Sequence, residues 1–410
     1  MKIESVKVYT VATPPPHIGG PYWMLVRMTT VCGIEGVGEV YGAAVHPSVM
    51  EQVVYDLFNT HLVGKDPHHI ERAFRAVYSS GFTQRPDPTI MCAFSGLEIA
   101  MWDIVGKAAG KPVYELIGGK MWDKLRAYTY LYPEKDERGI PDYDNVQASV
   151  EAAKKYVEQG WTALKFDPLG EYSNYGGYMA SLPAMEVTEE FCREIRKAVG
   201  NKCDLLLGTH GQMTTASAIR LAKKLEKYDP LWFEEPLPPS HSIEQGKVAS
   251  ATSIPVASGE RLCTKYEFFD LLRNGGAAIV QPDLARVGGI LEAKKIATIA
   301  DVHQAQIAPH VYCGPISFIA GLHVAISSPN FLMLETLETM DGFHGSILKD
   351  NIEVVDGHVI PPTKPGLGYE VDWDVVEAHE GYDGEKLHLE MVDKGYDVKN
   401  SVGFYSKRDI

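Results

Sequence analysis

The spacing of hydrophobic and polar residues changes three times along the chain. Up to about residue 45, apolar and polar positions alternate, in IESVKVYTV, YWMLVRMTTV and GIEGVGEVYG. A period of two predicts a three-stranded meander. From about 47 to 118 the spacing becomes helical. In SGLEIAMWDIVGKAAG, residues Leu97, Ala100, Met101 and Ile104 form one apolar stripe, stopped by Gly110 and Lys111-Pro112. From about 126 to 336, short apolar runs alternate with amphipathic segments. The runs are RAYTYLYP, TALKFDP, CDLLLGTH, LWFEEPL, IPVASGE, AAIVQPD, AQIAPHV and FLMLET. Helical stripes between them include Ala218, Leu221, Ala222 and Leu225, and Ala293, Ile296, Ala297 and Ala300. Buried strands alternating with helices predict an α/β chain with a (β/α) barrel. An open doubly wound sheet is the alternative, but no GxGxxG follows the first of these strands to support a dinucleotide site. After residue 355, NIEVVDGHVI ends as a short hairpin, and a Pro-rich return and a polar, aromatic tail follow. The expected division is an α+β unit over 1–125, a barrel over 126–355, and a segment over 356–410 that returns to the first unit.

Composition narrows the partners. The chain has 410 residues, enough for a large core, and a net charge of −15. That charge argues against nucleic acid and anionic membranes as partners. It leaves room for a small anionic substrate, because a bound cation can dominate the field inside a cleft. The six cysteines are scattered without a CxxC pair, as expected of core residues in a reducing compartment. No apolar run approaches the roughly 18 residues of a membrane span, and the N-terminus has no signal-like apolar region. A cytoplasmic location is the resulting expectation.

The chemistry of a barrel lies at the C-terminal ends of its strands. Those ends carry Lys165 and Asp167, His210, Glu234 and Glu235, Glu260 and Arg261, Asp283, His310, and Glu335. One such residue is more often a solvated charge than a functional group; so many converging on one end are not. Glu234 and Glu260, on adjacent strands, are hard oxygen ligands suited to Mg²⁺. Asp283 beside His310 fixes an imidazole tautomer and raises its basicity, which makes His310 a candidate general base. Lys165 and His210 are candidates for a second proton donor or acceptor. An ion pair for Lys165 and a hydrogen-bonded core position for His210 are the structural alternatives. In the first domain, ATPPPHIGGPYW has a constrained path that either presents His17 and Tyr22 to a ligand or serves as a plain connection.

These residues resemble the enolase superfamily, specifically its mandelate racemase-like branch of acid sugar dehydratases. SGLEIAMWDIVGK, KFDPLG, EEPLPP, SGERL, QPDLARVGGI and PTKPGLG match its signatures in order. Gluconate and galactonate dehydratases are the nearest in pattern. The resemblance implies a capping domain built from both chain ends and a (β/α)₇β barrel, as well as an even-numbered homo-oligomer. It implies one Mg²⁺ (or Mn²⁺) on Glu234 and Glu260, and proton abstraction α to a carboxylate by the Asp283–His310 dyad. Glu335 is implied to bind substrate, and His210 to help expel the 3-hydroxyl. Lys165 and Asp167 fall at the second-strand position, Asp167 among the substrate-binding candidates. The chain departs from the pattern at Gly208, where relatives carry an acid that ligates the metal. His210 entering the metal shell, Asp167 or water filling the vacancy, a metal-free site, and Lys165 supplying positive charge are the ways to complete such a site. The leading expectation is a dehydratase yielding a 2-keto-3-deoxy sugar acid. A cycloisomerase or epimerase of a sugar acid or anhydro-sugar acid, and a non-catalytic sugar-acid-binding homologue, are the alternatives. Substrate stereochemistry is expected to depend on Thr13–Tyr22, Tyr41–His46 and Phe82–Arg85.

Overall fold

A computed structural model describes the chain except for residues 43, 134–144, 170–176, 385, 386 and 388–410. Within the Tyr41–His46 stretch, Ala43 therefore lies outside the described residues. The predicted meander is present: β1 (Ile3–Ala12), β2 (Tyr22–Thr30) and β3 (Glu35–Val40) form an antiparallel sheet in that order. The helices α1 (Pro47–Leu57), α2 (Ile70–Tyr78) and α3 (Pro88–Ala109) follow. In α3, the Asp87 carboxylate caps the Ile90 N–H at 3.1 Å and Pro88 opens the first turn. Gly110, at φ 67°, ends it in the left-handed conformation.

The apolar stripe expected of α3, Leu97, Ala100, Met101 and Ile104, is buried. Ser95, Gly96, Glu98 and Asp103 are buried as well, because the helix lies between the sheet and the barrel. A Cβ on Gly38 would stand 1.8 Å from the Gly96 carbonyl, so α3 and β3 touch backbone to backbone. α3 is also the one helix among the described residues long and apolar enough to cross a membrane, and 83% of that stretch is buried in the protein.

The predicted strand runs all form strands: β4 (Leu125–Tyr130), β5 (Ala163–Phe166), β6 (Asp204–Gly208), β7 (Trp232–Glu234), β8 (Val256–Ser258), β9 (Ile279–Val280), β10 (Gln306–Ile307) and β11 (Leu334–Thr336). Each pairs in parallel with the next from β4 to β10. β11 pairs in parallel with β4, and a bridge from Ile307 to Phe331 joins the remaining gap, so the sheet closes on itself. The lumen is filled by Tyr128, Ala163, Leu206, Trp232, Ala257, Ile279, Ala308 and Met333, a cluster separate from the main core. Side chains two positions further along a strand point the same way. Lys165, Gly208, Glu234, Gln281, His310 and Glu335 thus stand one layer above this plug, at the strand ends.

The hairpin β12 (Val354–Val355) and β13 (His358–Val359) adds antiparallel to the start of β4, away from that layer. The chain then returns to β1, where Ala12 N–H donates to the His379 carbonyl and Gly381 N–H to that of Thr10, both at 2.9 Å. Two buried carboxylates of the first unit enter helix N-termini of the barrel. Glu39 accepts from the Gly314 and Ser317 N–H groups at 2.5 and 2.9 Å, and Glu98 from those of Ile290 and Leu291 at 2.7 and 2.9 Å. Orphan N–H groups and the helix dipole favour an anion at these places.

Candidate active site

The side chains at the strand ends converge as the sequence suggests. Just past β10, His310 donates through Nδ1 to Asp283 Oδ2 at 2.7 Å, and the second Asp283 oxygen takes the Ala285 N–H at 2.9 Å. The pairing leaves Nε2 facing the lumen, 3.8 Å from Glu260 Oε2 and 3.9 Å from Glu335 Oε2. A second dyad lies across the site. His210 Nδ1 is 2.8 Å from Asp167 Oδ2, and its Nε2 is 3.8 Å from the other Glu260 oxygen. Asp167, placed by sequence among the substrate-binding candidates, is here the carboxylate that orients His210.

Local backbone explains how β6 and β7 present these groups. His210 and Glu235 sit at φ 47° and 41°, conformations uncommon for residues with a side chain. The Thr209 hydroxyl holds the two turns together by donating to the Glu234 carbonyl at 2.7 Å and the Glu235 carbonyl at 2.9 Å. Gly211 N–H closes the arrangement at 2.6 Å on the Glu235 carbonyl. Glu235 itself turns away to Arg261, whose Nε and Nη2 are each 2.8 Å from Oε2.

Glu234 is fully buried. Its Oε2 accepts from Trp232 Nε1 at 3.0 Å and from Gln281 Nε2 at 2.8 Å. Its Oε1 faces Lys165 Nζ at 2.6 Å, at an angle that makes an ion pair but no hydrogen bond. Lys165 also donates to Glu335 Oε1 at 3.2 Å, and Glu335 Oε2 takes the Val311 N–H at 3.0 Å. Trp232 and Gln281 were not singled out from sequence. Their signal is the two-residue spacing from Glu234 and Asp283, which puts each on the lumen side of its strand. Arg286 was also missed, and Tyr41 entered only through the Tyr41–His46 stretch. The guanidinium of Arg286 lies 4.0 Å over the Tyr41 ring, and that ring is 6.5 Å from the His310 imidazole.

The charges are strongly coupled through the low-dielectric lumen. Burial pushes Glu234 up to about 7, against the opposing pull of Lys165. Glu260 is held well below the ordinary carboxylate range: burial would raise it, but His310, His210 and Lys165 together outweigh that. Burial works against the charge on His310, yet Glu260, Glu335 and Asp283 raise it to about 9. His210 is raised as well, burial being overcome by Glu260 and Asp167. Carboxylates so placed suit a cation. His210, Glu234 and Glu260 offer ligand atoms all within 4.8 Å of one another, and Glu234 Oε1 and Glu260 Oε2 are buried without a hydrogen-bond partner. This donor set fits a divalent metal ion of the Mg²⁺ or Mn²⁺ kind.

The remaining candidates lie in the first unit. His17, at φ 61°, bonds Thr13 Oγ1 at 3.1 Å within its own loop. Tyr22 is buried with its ring 4.8 Å from that of Tyr382. Their loop packs beside the segment that follows His310: a Cβ on Gly19 would be 2.7 Å from the Cys313 carbonyl. Phe82 and Arg85 are exposed on the loop after α2.

Comparison with known proteins agrees with this architecture. Residues 17–118 match the mandelate racemase / muconate lactonizing enzyme N-terminal domain, and residues 148–375 match the enolase C-terminal domain-like family. The chain is 35% identical over 376 residues to D-xylonate dehydratase of Haloferax volcanii, covering 90% of this chain and 88% of the relative. It is 33% identical to D-galactonate dehydratase of Pectobacterium atrosepticum, covering 92% and 94%. Both relatives are aldonate dehydratases by name, that is, hydro-lyases. A crystal structure from Burkholderia SAR-1, assigned to mandelate racemase/muconate lactonizing enzyme, has a TM-score of 0.96 at 55% identity and covers 98% of this chain and 100% of its own. A mandelate racemase/muconate lactonizing enzyme-like protein from Roseovarius sp. TM1035 has a TM-score of 0.94 at 51% identity, covering 96% and 99%. The chain belongs to the enolase superfamily, in its mandelate racemase/muconate lactonizing enzyme branch.

Proposed function

We propose that the protein dehydrates an aldonic acid to the 2-keto-3-deoxy acid, using the mouth of the closed parallel sheet described above. The observation that carries this reading is the pair of His–Asp dyads facing each other across Glu260. The named relatives, which act on D-xylonate and D-galactonate, support the substrate class.

His310 is the base. Asp283 holds Nδ1, so Nε2 is the nitrogen that meets the α-proton. His210, Glu234 and Glu260 would hold a divalent metal ion. The Asp167 carboxylate on the far nitrogen of His210 is the usual support for a ligating imidazole. Held there, such an ion would supply Lewis acidity toward the substrate carboxylate and the charge that grows on it as the α-proton leaves. As a metal ligand through Nε2, His210 would have no second proton to give, so expulsion of the 3-hydroxyl falls to Lys165. The field of Glu234 and Glu335 holds Lys165 well above the ordinary lysine range against the cost of burial, which keeps it protonated. The protons balance. His310 takes the C2 proton, and Lys165 gives one to the departing hydroxyl, which leaves as water. The enol then regains a proton at C3 from His310, and its hydroxyl proton restores Lys165. Glu335, 3.2 Å from Lys165 and 3.9 Å from His310, steadies both.

The test is incubation with Mg²⁺ and a panel of aldonic and anhydro-aldonic acids, with semicarbazide detection of 2-keto acids. A 2-keto-3-deoxy product is expected from at least one C5 or C6 aldonate. Absence of any keto acid, with isomers seen by NMR instead, overturns dehydration in favour of the cycloisomerase reading.

A further inference from the structure

Glu39 and Tyr41, at the end of β3, reach from the first unit to both halves of the His310–Asp283 dyad. Glu39 is fully buried. Its carboxylate accepts from the Gly314 and Ser317 N–H groups at the start of the helix Pro315–Ile326, and Gly314 follows His310 closely in the chain. Tyr41 N–H donates to the Ala285 carbonyl at 3.2 Å, and the N–H of that same Ala285 fixes the second Asp283 oxygen. One strand end therefore holds the segment after the imidazole and the segment after its carboxylate. Gly314 is fitted to this contact. A Cβ on it would stand 2.6 Å from Glu39 Oε1, so the carboxylate reaches the helix through the place a side chain would take. The rest of the segment is held from the barrel side. Glu335 Oε2 takes the Val311 N–H at 3.0 Å, and His344 Nε2 donates to the Cys313 carbonyl at 2.9 Å. Charge-assisted bonds to a helix N-terminus are strong and directional, which makes Glu39 a fixed strut rather than a loose packing contact. Glu98 provides the comparison. It too is a buried carboxylate of the first unit at a barrel helix N-terminus, but its partners Ile290 and Leu291 open the helix Ile290–Val302, further along the chain from Asp283.

We propose that Glu39 is a positioning residue for the reaction. From the first unit it sets the His310 imidazole against Asp283, so that proton abstraction in the barrel depends on a carboxylate outside it. The inference rests on His310 as the base of the proposed function, but not on the loss of water.

The test compares Glu39→Gln with Glu98→Gln in the full chain by two readouts. The first is deuterium uptake at C2 of D-galactonate and D-xylonate in D₂O with Mg²⁺, resolved into kcat and KM. Glu39→Gln is expected to lower kcat for exchange by about 10–100-fold, the cost of a misplaced reacting group, with KM within about threefold. Glu98→Gln is expected to leave both within about twofold. The second readout needs no substrate. It is the proton NMR signal of the His310 Nδ1–H in ¹⁵N-histidine-labelled protein, identified by its loss in His310→Asn. A low-field signal is expected in the unaltered chain and in Glu98→Gln, and a shifted or broadened one in Glu39→Gln. Gly314→Ala displaces the Glu39 carboxylate from the barrel side and is expected to reproduce both effects; it decides the matter if Glu39→Gln does not fold. An unchanged His310 signal or an unchanged kcat in these variants overturns the proposal, as does an equal change in Glu98→Gln or the absence of a low-field signal from the unaltered chain. If neither aldonate exchanges its C2 proton, the substrate reading fails and the NMR comparison alone decides this inference.

Discussion

The two His–Asp dyads have the same first contact and different surroundings. His310 and His210 each hold a carboxylate at Nδ1, at 2.7 and 2.8 Å, and each points Nε2 at Glu260 from 3.8 Å. Around His310 the partner is fixed again: the Ala285 N–H bonds the second Asp283 oxygen, and a backbone bridge joins Asp283 to His310. Around His210, the second Asp167 oxygen is buried without a hydrogen-bond partner, and the backbone sits in a strained left-handed turn. The His210 side chain is 17% exposed against 6% for His310. A base must hold one geometry through a proton transfer. The proposed metal ligand must instead be aimed toward Glu234 and Glu260. That contrast fits the different work proposed for the two dyads.

The largest expected effect breaks the symmetry outright. His310→Asn should lower exchange of the substrate α-proton into D₂O by about 10³-fold or more, since a positioned base contributes 10²–10⁴-fold. Unchanged exchange removes His310 from that role. Next comes the exchange of carboxylates. Asp167→Asn should weaken Mn²⁺ binding by about 10–100-fold, the usual cost of losing a supporting group behind a ligating histidine. Asp283→Asn should leave Mn²⁺ affinity within about threefold and instead depress exchange. If both variants affect the same quantity, the two dyads do not differ in function.

A third test sets the dyads against His344 and His323, which among the described residues are buried without a carboxylate hydrogen-bond partner. His344 donates through Nε2 to the Cys313 carbonyl at 2.9 Å, and His323 lies between the Tyr114 N–H and the Leu367 carbonyl. Burial pushes both down to about 4, against the raising effect of their carbonyl partners. A histidine whose folded pKa is depressed stabilises the fold above its unfolded value of 6.5, and that stability is lost as pH falls from 6.5 through 4. Thermal melts of the unaltered chain and His344→Gln should therefore converge between pH 6.5 and 4.5, the variant losing less. The difference should amount to about 2–3 kcal/mol across that window. Parallel curves contradict a neutral buried His344. The smallest effect is expected at the tie between β6 and β7. Thr209→Val removes a hydroxyl shared by two buried carbonyls and should cost about 1–2 kcal/mol by denaturant titration. It should also weaken Mn²⁺ binding slightly, because it loosens the turn that aims His210.

Much of this arrangement is legible in the sequence because barrel strands are short, apolar and bounded by charge. Each predicted run from RAYTYLYP to FLMLET contains a strand of the closed sheet, and the residues ending those runs meet at one mouth. The Asp283–His310 dyad is legible for the same reason, since its members end successive strands. The Asp167–His210 pair is not. Asp167 and His210 are 43 residues apart, and nothing in either segment says that one carboxylate turns toward the imidazole instead of the substrate. Burial of α3 on every side is equally hidden, because Glu98 and Asp103 look solvent-facing until the helix N-terminus and backbone groups they bond are known. Trp232 and Gln281 read as core filler because their role is to occupy one oxygen of Glu234, a three-dimensional fact with only a two-residue spacing to suggest it.

The proposed placing of His210 in the metal seat, where Gly208 leaves no acid, is the centre of this account. Electron spin echo spectroscopy of the Mn²⁺-loaded protein with glycolate measures it directly, since a coordinated imidazole nitrogen modulates the manganese echo. Nitrogen modulation that disappears in His210→Asn is the expected result; an echo without nitrogen modulation, or one unchanged in that variant, contradicts it.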